Sequence, residues 1–249
     1  MKESGKACVV AIDGPSGAGK GTIARRVAME LGFHFLDSGA VYRAAALQCI
    51  RSGVDLADDQ AAARLIEGLD VSFSEVRSND DDVTTVERVL LDGTDVSKEL
   101  RSETTADAAS RIASLPGVRK TLLSVQRDFL LPPGLVADGR DMGTVVFPQA
   151  QLKIYMTASA RVRAERRLRQ LNELGIEATL AGLMQEIETR DLRDSTRRHA
   201  PLVAAKDART IDTTGLGIDA AVDLVLDHVR ETLGSRITSI AGGIAPGVC

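Results

Sequence analysis

The sequence has no Trp, two Tyr and five Phe among its 249 residues. That is too few rings for the stacking platform on which proteins hold single-stranded nucleic acid. Its three cysteines, Cys8, Cys49 and Cys249, form no Cys-x-x-Cys pair, which excludes a disulfide framework or a thiolate metal site and favours a reducing cytoplasm. The three histidines, His34, His199 and His228, have no metal-ligand spacing. None stands with a Ser or Cys and an acid in the arrangement of a covalent nucleophile; His34 reads as a pocket-edge or packing residue and His228 as a surface residue. No apolar run approaches the ~20 residues of a bilayer span, and the first residues lack the charged-then-apolar pattern of a secretion signal. Lysine is scarce too: seven of the 31 basic residues are Lys and 24 are Arg. Against 35 acidic residues the net charge is −4, so no global positive field recruits nucleic acid. Such a chain can bury roughly 70–75% of its unfolded surface without staples. It is expected to be cytoplasmic, with one or two domains and no membrane or nucleic-acid partner.

What is present is organised. Residues 8–12, Cys-Val-Val-Ala-Ile, form a short apolar run ending in Asp13, the mark of a strand buried on both faces of a parallel sheet. Ile23, Ala24, Val27, Ala28 and Leu31 then fall at helical spacing, closed by Gly32, with Arg25 and Arg26 on the solvated face. A second helix carries Tyr42, Ala45, Ala46, Cys49 and Ile50 and stops at Gly53. Residues from about 70 to 100 alternate, with an acidic turn at 79–82 and another at Asp92-Gly93, and read as a small antiparallel meander inserted in an α/β chain. Helical patterns resume over 103–131, interrupted at Pro116-Gly117. Buried strands follow at 135–138 and 152–156, then two Arg-rich helices, a last strand over 209–212 and a final helix over 219–233. The tail, 235–249, is expected to be loosely ordered.

Gly14-Pro15-Ser16-Gly17-Ala18-Gly19-Lys20-Gly21-Thr22 lies between the first strand and the first helix, the setting a phosphate-binding loop requires. Glycines let successive N–H groups converge on phosphate oxygens, the helix N-terminus adds its positive end, and Lys20 neutralises the β- and γ-phosphates. A plain glycine turn needs no lysine after it. Gly21 stands where the strict pattern has a magnesium-binding Ser or Thr, so Thr22 is the nearest hydroxyl and direct metal ligation stays open. The guanine-reading Asn-Lys-x-Asp of GTPases is missing, and motor or AAA-type ATPases need more chain for coupling elements.

A second set of residues looks built for another anion. Residues 36–43, Leu-Asp-Ser-Gly-Ala-Val-Tyr-Arg, run from a short strand into a helix; Asp37 or Ser38 could be an N-cap, whereas Arg43 sits at the end of the helix that cations avoid. Residues 138–144, Asp-Gly-Arg-Asp-Met-Gly-Thr, leave a buried strand where open α/β sheets bind ligands, and Asp138 stands where a phosphate-loop protein places its metal-orienting carboxylate. In the helix from Thr179, the face defined by Leu180, Leu183 and Ile187 continues as Arg190, Asp194 and Arg197, with Arg193 alongside. A stripe that turns from aliphatic to ionic cannot be dry core. Either that end of the helix leaves the protein or it lines an anion cleft. Arg161, Arg163, Arg166, Arg167 and Arg169 crowd the preceding helix, so the pair could fold guanidinium groups over a polyphosphate and exclude water.

Taken together, residues 12–22, 36–43, 138–148 (Asp-Gly-Arg-Asp-Met-Gly-Thr-Val-Val-Phe-Pro) and 190–194 (Arg-Asp-Leu-Arg-Asp) resemble the bacterial cytidylate (CMP/dCMP) kinases, over about 9–233. The resemblance implies a P-loop three-layer α/β/α fold with a parallel five-stranded sheet. It implies a P-loop core over 1–37, 102–158 and 199–234, a monophosphate-binding region over 38–101 containing the β insert, and a helical lid over 159–198. It implies transfer of the γ-phosphoryl group of ATP to CMP or dCMP by a monomer, with Mg²⁺ held largely through nucleotide and water; Thr22 and Asp138 are the residues able to meet it through water. Residues 14–22 would bind ATP. Ser38 and Arg43 would meet the acceptor phosphate, clamped with Arg140 and Arg197; Ser110, Arg119 and Asp141 would read the cytosine edge; Arg190 and Asp194 would hold the sugar. Lys20, Arg140, Arg166, Arg167, Arg190 and Arg197 would act on the transferring group. The alternatives are a small-molecule P-loop kinase for UMP, shikimate or dephospho-coenzyme A, and a non-catalytic nucleotide-binding regulator.

Overall fold

The structure, a computed structural model, describes residues 7–77, 85–173 and 175–241. They divide into two compact units, one formed by residues 1–36 and 128–249 and the other by residues 37–127.

In the first unit, β1 (Cys8–Asp13), β2 (His34–Asp37), β6 (Gly134–Gly139), β7 (Leu152–Thr157) and β8 (Arg209–Asp212) form a five-stranded sheet in the order β2-β6-β1-β7-β8. β1 lies parallel to both β6 and β7, and β7 parallel to β8, with Ile12 opposite Asp138 on one side and Ile154 on the other. Every residue of β1 and β6 is buried, as their unbroken apolar runs require. Val10 and Ile12 pack with Ile23 and Val27 of α1 (Lys20–Leu31) and with Val222, Val225 and Val229 of α9 (Ile218–Ala241), each side chain contributing ~1.5–3 kcal/mol of burial. α1 begins directly after Gly19 and is closed by Gly32 at φ 62°, whose N–H bonds back into the last turn. α7 (Ala160–Glu173) and α8 (Leu180–Ser195) are held together by a cluster of Ala164, Leu171 and Leu183, with Leu168, Leu180, Met184 and Ile187 against it. β6 leads into a single π-helical turn, Met142–Val146.

In the second unit, α2 (Ser38–Arg51) is capped by Asp37, whose Oδ1 accepts the Ala40 N–H at 2.8 Å. α3 (Asp59–Leu65) follows, then the meander β3 (Val71–Arg77), β4 (Thr85–Leu91) and β5 (Thr94–Asp95), paired antiparallel in that order. The expected turn at Asp92-Gly93 joins β4 to β5 with both φ angles positive, 50° and 75°, the conformation a tight hairpin favours. The expected acidic turn at 79–82 lies outside the described residues. α4 (Ser97–Leu100), α5 (Glu103–Ile112) and α6 (Pro116–Asp128) complete the unit. Pro116 opens α6 rather than interrupting it, since a first-turn residue needs no amide donor, and Asp59 accepts the next two N–H groups, of Gly117 and Val118.

Two boundaries differ from expectation. The second unit runs from 37 to 127, so α5 and α6 group with the β insert and not with the P-loop core; the reason is that α5 packs along α2, which no local pattern announces. The final helix does not stop near 233 but continues through Ala241, so the first part of the tail expected to be loose is helical. Residues 242–249 lie outside the described residues.

Candidate active site

The glycine-rich loop connects β1 to α1. Gly14 is obligatory: with φ 154°, a Cβ there would lie 1.9 Å from the Met156 carbonyl oxygen on β7. Lys20 is buried; its Nζ donates to the Pro15 carbonyl at 2.9 Å and stands 3.9 Å from Asp138 Oδ1. Burial and then the nearby positive charge of Arg140 pull the Lys20 pKa down to about 8, with Arg190 acting the same way and Asp138 and Asp13 opposing. Lys20 is thus under the charge of two arginines, Arg140 and Arg190. Gly21 contributes no hydroxyl, and a Cβ on it would lie 3.3 Å from Asp138 Oδ2, while Thr22 is exposed. Asp138 and Thr22 therefore suit a Mg²⁺ held through nucleotide and water. Among the described residues no group of three or more His, Cys, Asp or Glu could cage a metal by itself.

The exit of β6 supplies the next residues. Asp138 and Asp141 are buried. Arg140 donates from Nε to Asp194 Oδ2 at 3.1 Å, and Arg197 donates to the other oxygen, Asp194 Oδ1. Asp194 is 2% exposed, so one carboxylate locks the orientation of two guanidinium groups. The stripe Leu180, Leu183, Ile187, Arg190, Asp194 and Arg197 is buried or half-buried along its whole length, so the ionic half of α8 faces inward and does not leave the protein. Arg166 donates to the hydroxyl (3.2 Å) and carbonyl (2.7 Å) of Thr213, and burial holds its pKa below the usual guanidinium range. Arg167 is half-buried on α7 and Arg193 half-buried on α8.

The second unit holds the other expected residues. Ser38 is buried, and its hydroxyl accepts from Gln126 Nε2 at 3.1 Å. Arg43 is paired with Asp37 at 3.0 Å, which offsets its unfavourable place near the N-terminus of α2. Ser110 is buried on α5; Arg119 of α6 donates to the Ala113 carbonyl and lies 5.9 Å from the centre of the Tyr42 ring.

Four residues have roles that the sequence does not assign. Asp13 accepts the N–H groups of Met142 and Gly143, both at 2.8 Å, and so ties the end of β1 to the turn that carries Arg140 and Asp141. Burial drives its carboxyl up to about 7 against the pull of those two N–H groups, helped by the charges of Asp141 and Asp138. Gln126, Arg163 and Thr213 are likewise buried and bonded to the loop or to an expected site residue. His34 bonds the Pro132 carbonyl and His228 shares Arg209 with Glu231, so neither is engaged with this machinery.

A parallel sheet with a glycine-lysine loop at the end of its first strand, and arginines converging on that lysine, defines a P-loop phosphotransferase. The comparisons narrow the class. The family model described as cytidylate kinase matches residues 10–231. The cytidylate kinase of Shewanella loihica is 49% identical over 230 residues, covering 92% of this chain and 97% of its own. That of Vibrio parahaemolyticus is 50% identical over 225 residues (90% and 96%), and that of Bordetella bronchiseptica 49% over 227 (91% and 97%). The chain belongs to the cytidylate kinase family.

Proposed function

We infer that the protein is an ATP-dependent nucleoside monophosphate kinase that transfers the γ-phosphoryl group of ATP to CMP or dCMP, giving ADP and CDP or dCDP. The observation that carries this reading is Lys20 buried at the glycine loop, its Nζ on the Pro15 carbonyl, where burial and then the charges of Arg140 and Arg190 depress its proton affinity against the pull of Asp138 and Asp13. Such a cluster is relieved by a polyanion, and a triphosphate at the glycine loop supplies one.

The reaction is in-line. A 5′-phosphate oxygen of the acceptor forms a bond to the γ-phosphorus while the bond to the β,γ-bridging oxygen breaks and its electron pair leaves with ADP. The acceptor phosphate is already anionic near neutral pH, so no general base is required, in keeping with His34 and His228 bonded elsewhere. The loop over 14–22 binds the ATP phosphates and Lys20 follows the γ-phosphoryl group. Arg166, Arg167 and Arg190 stabilise its charge from α7 and α8. Ser38 and Arg43 hold the acceptor phosphate, and Arg140 and Arg197, aimed by Asp194, are spent on the same group. Ser110, Arg119 and Asp141 read the cytosine edge by hydrogen bonds, as befits a chain poor in rings. Asp194 has both oxygens occupied by arginines, which supports a role in aiming them beside the expected one at the sugar. Asp138 and Thr22 would hold, through water, a Mg²⁺ that accompanies ATP, and that ion would supply charge neutralisation at the phosphates. No described helix is long and apolar enough to cross a membrane, and we place the enzyme in the cytoplasm as a monomer with nucleotides as its partners.

An acceptor panel tests the assignment. Purified protein with ATP, Mg²⁺ and CMP, dCMP, UMP, AMP, GMP, shikimate or dephospho-coenzyme A should form ADP fastest with CMP or dCMP. Equal rates across the nucleotides, or a preference for a non-nucleotide acceptor, overturns it.

A further inference from the structure

Two carbonyls of the glycine loop are held from behind by residues far away in sequence. Arg163, 4% exposed, donates from Nη1 to the Ser16 carbonyl at 3.1 Å. The same guanidinium donates through Nε to the Ala158 carbonyl at 2.9 Å and grips both oxygens of Asp191 on α8. Thr213, 1% exposed, directs its hydroxyl at the Ala18 carbonyl, 3.0 Å away. The Thr157 carbonyl lies 3.1 Å from that hydroxyl and also receives the Thr213 N–H at 2.8 Å, so the hydroxyl bridges the two carbonyls, with Ala18 the nearer acceptor. Arg166 fixes the rotamer by donating to the same oxygen.

In a trans peptide the C=O and the next N–H point in opposite directions. Pinning the Ser16 and Ala18 carbonyls against buried partners therefore turns the N–H groups of Gly17 and Gly19 away from the interior, and Gly17 is exposed. Left free, these two peptides could flip, because glycine tolerates either sense; Gly17 and Gly19 have φ of 78° and 87°. The stem of Arg163 also fills the space beside Gly17, where a Cβ would lie 3.1 Å from Arg163 Cβ.

We propose that Thr213 and Arg163 are positioning residues for phosphate binding: they preset the peptide planes of the loop so that the Gly17 and Gly19 N–H groups face the nucleotide phosphates before ATP arrives. Arg163, through Asp191, also fixes α8 to the loop, so the helix that carries Arg190 and Asp194 is set by the same device. The inference rests on the kinase reading for its biological sense but not for its test.

The test uses inorganic tripolyphosphate, which carries phosphates and no base, and the variants Thr213→Val and Thr213→Ser. Loss of one hydrogen bond to a buried carbonyl is expected to raise the tripolyphosphate dissociation constant and the KM for ATP about tenfold. KM for CMP should stay within about twofold of wild type on the same scale. Serine, which keeps the hydroxyl, should restore tripolyphosphate binding. An unchanged dissociation constant in Thr213→Val, or an equal rise in both KM values, overturns the proposal, since a merely structural residue would lower the melting temperature without that split. If the valine variant does not fold, Arg163→Lys carries the test: one ammonium cannot hold Ser16, Ala158 and Asp191 together, so tripolyphosphate binding must weaken, and wild-type binding refutes the idea. Calorimetry reads this without turnover, so wild-type protein that binds tripolyphosphate but fails to phosphorylate CMP sinks the kinase reading alone.

Discussion

Asp194→Asn is the most informative single change at the site. The side chain keeps its volume, but one oxygen becomes an NH₂ that faces a guanidinium N–H. Wild-type Asp194 accepts from Arg140 at 3.1 Å and from Arg197 on its other oxygen, with side-chain exposures of 21% and 7% for the two arginines and 3% for the carboxylate. Hydrogen bonds to charged groups contribute ~1.5–3 kcal/mol each, and breaking a buried ion pair costs ~3–5 kcal/mol. Partial exposure of Arg140 screens its share, so the lower end applies, about 3 kcal/mol for the loss of one bond and the weakening of the other. At ~2–4 °C per kcal/mol for a chain of this length, the melting temperature should fall by about 6–12 °C. Below that melting point kcat/KM for CMP should drop about 100-fold or more, the scale on which losing one preorganised donor acts. Differential scanning fluorimetry and a coupled ADP assay at 25 °C measure the two effects. A variant that loses heat stability yet keeps kcat/KM for CMP within threefold would show that Asp194 merely packs the fold, and the claim that it aims two arginines would be wrong.

Two further predictions concern pH. The Asp13 carboxyl titrates near 7 in the fold instead of 3.8; the unfolded chain therefore releases this proton first, and stability must fall as pH rises from about 4 to 7, by up to about 4 kcal/mol. Asp13→Asn should flatten that slope in urea unfolding at pH 4.5 and 7.5, and parallel slopes for the two proteins would refute the burial argument. Lys20, at about 8 in place of 10.5, is charged below that pH in the free protein, so kcat/KM for ATP should decline as pH passes 8. kcat reports the nucleotide-bound state, where phosphates raise the lysine again, so it should hold to higher pH; a flat kcat/KM from pH 7 to 9.5 would contradict the reading.

How far the sequence reaches depends on the range of the interaction. The glycine loop is legible because strand, glycines, lysine and helix are contiguous, and the ionic stripe of α8 is legible because helical spacing places Arg190 and Asp194 on the face of Leu183, with Arg197 just past the helix end at Ser195. The β insert is visible as alternation. The unit boundary is not, because it depends on α5 lying along α2. The helical extension to Ala241 was hidden by a composition rich in small residues with few charges. The partners of Asp13, Gln126, Arg163 and Thr213 could not be read, since they lie 130, 88, 147 and 195 positions away. Asp13 looked like a strand end and Arg163 like one arginine among five.

The hydrogen bond between Gln126 and Ser38 closes the second unit at its own two ends, one residue in from where it leaves and rejoins the chain. The strands on either side of this excursion, β2 and β6, are neighbours in the large sheet. Residues 37–127 therefore form a unit clasped at its own two ends. The share of the proposed acceptor site that it carries, Ser38, Arg43, Ser110 and Arg119, can thus diverge as one block, while Arg140, Asp141 and Arg197 stay with the unit that binds ATP.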